Sequence, residues 1–167
     1  MGRRVKLQDL NTYGNSDNAF KASNGKYYSS EEAWQAKQKE NEYRLKCISH
    51  VSELMGYEKN MKLPTTAFKF IAEYGQSYNY ESLFNTMIAQ DEFAEWALKT
   101  KDFKNENNKV AYLFAIYRNN IMPEYKQLKK EKDRIKKDKK ETIVQFEDLN
   151  NKKQKVNDIS NFLDDDE

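Results

Sequence analysis

Apolar residues recur at helical spacing through the middle of the chain. The first such stretch begins after Ser29, which has Glu32 three residues on, a capping-box spacing that predicts Ser29 as the helix N-cap. The first half of this helix is polar and the second half is apolar every three or four residues, so only the second half is predicted to face a core. The apolar positions are Tyr43, Cys47, Ile48, Val51, Leu54 and Met55.

Three shorter helical segments follow. Thr65 or Thr66 is predicted to cap the second helix and Gly75 to end it. Asn79 is the predicted cap of the third helix, because a short polar side chain at this position can accept a hydrogen bond from the first turn. Asp91 interrupts the apolar stripe and is predicted to start the fourth helix.

The fifth helix, predicted over residues 109–120, is the most apolar. Pro123 has no backbone N–H but fits the first turn of a helix, so the core helix is predicted to end near it and a second, polar helix to begin there. The core-facing positions of the first of these two helices are Val110, Leu113, Phe114, Tyr117 and Ile121.

The N-terminal region lacks the helical spacing of apolar residues. Residues 1–19 are polar and basic at their start, which predicts a flexible basic arm carrying Arg3, Arg4 and Lys6. Residues 20–29 hold Asn24-Gly25 between short, partly apolar flanks. This dipeptide predicts a small β-hairpin, since both of its residues tolerate a positive φ in a tight turn.

These patterns predict a mainly α fold. A single compact helical domain spans residues 20–121, with the small hairpin at its N-terminal end. A projecting basic helix follows over 122–141, and a disordered acidic tail over 142–167. Charged residues make up 34% of the chain and the mean hydropathy is −1.07, so the polar excess is expected on solvated helix faces and in the tail.

Few residues have the pattern of a catalytic or metal site. Cys47 and His50 are the one Cys/His pair and supply two ligands, whereas structural zinc takes about four. Glycine-rich nucleotide-binding motifs and a nucleophile elbow are absent from the sequence. We therefore expect a protein that is not an enzyme and takes no metal or cofactor. Without a signal peptide or a long apolar run, we expect a cytoplasmic location and no membrane partner.

Basic residues are concentrated in one segment of the chain, which suggests an anionic ligand. Residues 124–141 carry nine Lys/Arg against five acids. Lysines on such a helix can hold phosphates as point charges. The alternative is a solvated helix whose acids pair with lysines one turn away. The candidate nucleic-acid contacts are Lys129, Lys130, Lys136 and Lys137, with Arg3, Arg4 and Lys6 on the arm.

The C-terminal tip joins two apolar anchors, Phe162 and Leu163, to the acidic residues Asp164, Asp165 and Asp166. Such a tip suits a basic groove on a partner protein. It resembles the acidic tips of bacterial single-stranded DNA-binding proteins, although there the apolar residues come last. The alternative is a tail that aids solubility or shields the chain's own lysines.

The segment "KVAYLFAIYRNNIMPEY", after the "DFKNENN" loop, resembles the closing helices of DnaD-like or replisome-organizer proteins from phages of low-GC Gram-positive bacteria. The matching positions are Phe103, Lys109, Tyr112, Ala115, Ile116, Asn119 and Asn120. The resemblance implies a helical domain closed by this helix and followed by a basic tail. The winged-helix region of many such proteins has no counterpart here.

Together these observations predict a phage accessory protein in DNA replication or transactions. It would bind nucleic acid through the lysine-rich helix and a protein, such as a replicative helicase or its loader, through the tail. The alternative is a phage inhibitor of a host nucleic-acid machine, for example an anti-CRISPR protein that binds a CRISPR effector.

Overall fold

The computed structural model describes the backbone of residues 2–58 and 62–160, and side chains as far as residue 138. Within these residues a small sheet precedes five α-helices, which confirms the predicted mainly α fold. The contacts divide the chain into a first unit, Met1–Tyr125, and a second unit, Lys126–Glu167. The strands are β1 (Arg4–Leu7), β2 (Thr12–Asn15), β3 (Phe20–Lys21) and β4 (Tyr27–Tyr28), and the helices are α1 (Glu31–Leu54), α2 (Thr65–Tyr78), α3 (Tyr80–Ala89), α4 (Asp91–Thr100) and α5 (Glu106–Ser160).

Strands β3 and β4 form the predicted hairpin, but its turn differs from the two-residue turn we expected. The Ala22 amide donates to the Lys26 carbonyl at 2.9 Å, so three residues form the loop. Gly25 has a φ of 76° while Asn24 keeps a negative φ. A three-residue loop needs one left-handed residue, and glycine takes that position without a steric cost.

The predicted flexible arm is instead part of the sheet. Strands β1 and β2 pair antiparallel, and the sheet order is β2-β1-β4-β3. The backbone of Arg3 exchanges hydrogen bonds with Ser16, one to its hydroxyl and one from its amide, both at 2.9 Å. The alternation Arg4-Val5-Lys6-Leu7 is a strand pattern in which Val5 is buried and the charged residues are exposed. The predicted flexible arm is therefore wrong, because the alternation of buried and exposed residues, and not the positive charge, decides the local structure.

The first helix begins one residue later than predicted. Ser30, rather than Ser29, is the N-cap, and its hydroxyl accepts from the Ala33 amide at 3.2 Å. Ser29 instead joins the sheet region to the loop before β2, because its amide and hydroxyl both donate to the Asp9 carboxylate. The Ser29 hydroxyl and amide hold the pKa of Asp9 below its usual value.

Gly75 does not end the second helix, which continues to Tyr78. A Cβ on Gly75 would lie 2.1 Å from Cε1 of the Tyr80 ring. The glycine is therefore a packing requirement, since it lets the first residue of α3 lie against the backbone of α2. Asn79 caps α3 as predicted, and its side chain accepts from the Ser82 amide at 2.8 Å.

The predicted face of α5 is buried in the first unit. Its five core positions, from Val110 to Ile121, have no exposed surface. The Phe114 ring lies 5.2 Å from Phe70 and 5.9 Å from Tyr74, both on α2. Close aromatic pairs of this kind bury much area per residue, which offsets the low apolar content of the chain.

Pro123 lies inside α5 and does not separate two helices. A proline in a helix interior removes one backbone hydrogen bond and costs about 3 kcal/mol in an isolated helix. Complete burial of Tyr117 and Ile121 just before it stabilises helical backbone up to the proline. Two residues past the proline, the Tyr125 ring lies 5.8 Å from Tyr78 on α2, so tertiary contacts are made on both sides of the boundary that local propensity predicted.

The backbone of residues 142–160 continues α5 to Ser160, where the sequence predicted a disordered tail. Residues 161–167 lie outside the described residues. No helix in the described part of the chain is long and apolar enough to cross a membrane.

Candidate nucleic-acid interface

The cationic side chains of α5 after Pro123 lie mainly on one side of the helix. At 3.6 residues per turn, six of them fall within about half of the circumference. Each is exposed. We call this surface the basic arc; it comprises Lys126, Lys129, Lys130, Arg134, Lys136 and Lys137. All four lysines predicted on this helix to contact nucleic acid belong to it.

The acids of this segment neutralise the basic arc only in part. Asp133 falls within the arc, whereas Glu131 and Asp138 fall at its margin. Among the described residues, neither Lys129 nor Lys130 forms an ion pair, in contrast to the exposed lysines of α1 and α4 that pair with neighbouring glutamates. The ammonium groups at these two positions can therefore bind an external anion without first breaking a salt bridge.

The three basic residues near the N-terminus lie in the first unit. Arg4 and Lys6 are two residues apart on β1 and so share one face of the sheet. Lys6 lies opposite Tyr13 on β2. The Arg4 guanidinium is 4.6 Å from the centre of the Tyr13 ring, which is 62% exposed. Arg3 precedes the strand and is exposed.

The structure thus brings Arg4, Lys6 and Tyr13 together and places the lysines of α5 on a common arc. The two groups belong to separate units, Met1–Tyr125 and Lys126–Glu167. The predicted partner-binding residues Phe162, Leu163, Asp164, Asp165 and Asp166 lie outside the described residues.

Tyr13 was not among the predicted site residues. A guanidinium stacked on an exposed tyrosine ring is a surface on which an unpaired base can also stack. The sequence shows Tyr13 as an aromatic residue in a polar segment. Its place beside Arg4 and Lys6 can be predicted only if the pairing of β1 with β2 is known. On α4, the exposed rings of Phe93 and Trp96 stack on each other with their centres 5.7 Å apart.

The basic arc can hold phosphate oxygens but has few groups that read base edges. Lysine ammonium groups are point charges and supply affinity with little sequence preference. Bidentate readout of bases normally uses arginine, asparagine or glutamine in a groove. The basic arc contains five lysines and only one arginine, Arg134, so it favours binding that is tolerant of nucleic-acid sequence.

Cys47 and His50 have structural surroundings. Cys47 is completely buried, its Sγ is 3.7 Å from the Tyr80 carbonyl oxygen, and burial raises the pKa of its thiol to about 12. His50 Nε2 lies 3.4 Å from Asp91 Oδ1 but forms no hydrogen bond with it. Among the described residues, no cluster of three or more His, Cys, Asp or Glu side chains could hold a metal ion.

The chain matches a family of prophage proteins. A family model described as SPbeta prophage protein YorH matches residues 10–161. No curated protein and no solved structure matches the chain. The family match covers the sheet from just before β2, all five helices and the basic arc.

Proposed function

Since the chain belongs to the family of SPbeta prophage protein YorH, we propose that it is a phage accessory protein of DNA replication or another nucleic-acid transaction. In this proposal it acts by binding rather than by catalysis. Its ligand is the phosphate backbone of a nucleic acid, held on the basic arc of α5.

The observation that carries the proposal is the density of exposed cations on one side of α5. Seven lysine or arginine side chains occupy 12 consecutive residues, 126–137, all of them are exposed, and six of the seven belong to the basic arc. A helix that needed only solubility would gain as much from interspersed charges of both signs. A phosphate backbone presents charges at short, regular intervals along its length, which matches such an arc.

Arg4, Lys6 and Tyr13 support the same function from the first unit. Two cations beside an exposed ring combine phosphate contact with base stacking, which is the chemistry of single-strand binding. Single-stranded DNA or RNA is therefore the proposed ligand, ahead of duplex DNA.

Fluorescence anisotropy with labelled single strands, measured over a range of salt concentrations, tests the proposal. We expect steep salt dependence and similar affinities for unrelated sequences. Replacing Lys129, Lys130, Lys136 and Lys137 by Gln should flatten the slope of log K against log salt by up to about 3, at roughly 0.7 per lost contact to a single strand.

A control variant separates the arc from net charge alone. It replaces Lys26, Lys62, Lys69 and Lys104, four exposed lysines outside the arc, by Gln and so removes the same charge. We expect it to bind as the unaltered protein does. Equal losses in both variants, or an unchanged slope in the arc variant, would remove α5 from the binding site.

The proposal includes a protein partner, such as a replicative helicase or its loader, that the acidic tip would bind. Burying Phe162 and Leu163 on a partner is worth roughly 1.5–3 kcal/mol each before ordering costs. Replacing both by Ser should abolish capture of the partner in a nuclease-treated lysate and leave the melting temperature unchanged. Undiminished capture of the same partner would contradict a role for the tip.

A further inference from the structure

A line of apolar positions follows α5 beyond the first unit. Phe114 and Ile121, seven residues apart, are completely buried. Leu128 and Ile135 continue the same spacing on the side opposite the basic arc. In the second unit, however, Leu128 is half-buried and Ile135 is 47% exposed. The seven-residue apolar repeat that packs into the core of the first unit therefore continues into the second unit, where Ile135 is exposed among the described residues.

The sequence repeats this spacing to the end of the described helix. Positions 142, 149 and 156 carry Thr, Leu and Val, so four of the five positions from 128 to 156 are aliphatic. The backbone is helical throughout. A seven-residue repeat averages 3.5 residues per turn, and several consecutive heptads predict a coiled coil rather than packing against a globular surface.

We propose that residues 125–160 of α5 bind a second copy of this chain as an antiparallel coiled coil. The repeat above is the d position of the heptad, and the a positions are 125, 132, 139, 146, 153 and 160. These carry Tyr, Lys, Lys, Phe, Lys and Ser. A parallel pair would place each of the three lysines against its own counterpart, which is a repulsive arrangement.

An antiparallel pair avoids that repulsion, because each a position then faces a d position of the other copy. In the register that sets position 135 against position 146, position 156 faces position 125. Both aromatic a residues then meet an aliphatic residue. Each lysine at an a position faces Leu128, Thr142 or Leu149, along which its methylene stem can lie.

The sorting of charge also favours a second copy, in antiparallel orientation, as the partner of this face. Residues 126–140 carry nine Lys/Arg and three acids, whereas residues 141–155, which face them in this register, carry three Lys and three acids. A parallel pair would place the basic segments of the two copies side by side, whereas the antiparallel pair places each basic segment beside one without net charge. Within the basic arc, Lys126, Lys130, Arg134 and Lys137 occupy b, c and f positions away from the seam and stay accessible, whereas Lys129 and Lys136 occupy e positions at its margin. The dimer follows from the apolar repeat, so this inference does not depend on the nucleic-acid proposal.

Analytical ultracentrifugation of the full chain is the first test. We expect a species of twice the chain mass of 19.9 kDa, and a monomer after Ile135→Asp. Lys130→Asp, which introduces the same side chain on the arc, should leave the dimer intact. A monomer for the unaltered chain, or a dimer that survives Ile135→Asp, would overturn the proposal. Since Ile135 is exposed, circular dichroism should show the same folded first unit in both variants.

Disulfide trapping tests the orientation in a Cys47→Ala background. Ile135→Cys mixed with Phe146→Cys should cross-link, and Ile135→Cys alone should not. Cross-linking of Ile135→Cys with itself would show parallel association and refute the antiparallel register. If the variant with four arc lysines replaced by Gln lost nucleic-acid binding but still dimerised, the result would support the proposed nucleic-acid function and leave the coiled-coil proposal standing.

Discussion

Replacing Gly75 by Ala is expected to destabilise the protein, although the residue lies inside a helix. At an unobstructed helical position this change stabilises by about 1 kcal/mol, because alanine has the higher helix propensity. At Gly75 the new methyl group would lie 2.1 Å from Cε1 and 2.3 Å from Cδ1 of Tyr80. Tyr80 is only 6% exposed, so its ring has little room to move. Overpacking of this kind costs about 1–3 kcal/mol, and the net effect is a loss of stability.

Chemical denaturation followed by circular dichroism measures this loss. The matching control is Gly75→Ala in a Tyr80→Ala background, where the ring is gone and only the helix propensity remains. There the same change should stabilise by up to about 1 kcal/mol. A Gly75→Ala protein as stable as the unaltered one, or an identical effect in both backgrounds, would refute the close approach of α3 to this glycine.

Two predictions concern buried polar groups. Tyr117 is completely buried and its hydroxyl has no hydrogen-bond partner among the described residues, so Tyr117→Phe should leave stability unchanged or raise it by about 1 kcal/mol. Tyr117→Ala should cost about 3–5 kcal/mol by opening a cavity; denaturation midpoints of both variants check this, and a large loss for Tyr117→Phe would reveal a missed partner. Burial raises the pKa of the Cys47 thiol from 9.0 to about 12, so its contribution to stability is complete below pH 9 and is lost as the pH rises towards 12. The unfolding free energy should fall less steeply over this range in Cys47→Ala, and identical pH profiles would contradict the burial of the thiol.

The helices of the first unit and the core face of α5 could be predicted, because both depend on the local spacing of apolar residues. Val110, Leu113 and Tyr117 recur at intervals that only a helix brings to one side. The cap at Asn79 was also predictable, since it requires one side chain and the next turn of backbone. The exposed lysines of the basic arc follow from the same periodicity.

The errors came where distant residues decide the local structure. The strand at Arg4–Leu7 forms because β2 and β4 pair with it. Ser29 lost the cap position to Ser30 because Asp9, twenty residues away, accepts its hydrogen bonds. Neither partner could be found from the neighbouring sequence, because hydrogen bonds across a sheet depend on its strand order.

By itself, the sequence of this protein determined that the middle of the chain is helical, which helix faces there are apolar, and where the charge is concentrated. These properties depend on interactions within a few turns of backbone. Only the tertiary structure decided that α2 runs past Gly75 and that α5 runs through Pro123. At both positions the local preference for a break is about 1–3 kcal/mol. Long-range packing opposes it, because Tyr80 lies against the Gly75 backbone and Tyr125, two residues past the proline, lies 5.8 Å from Tyr78 on α2.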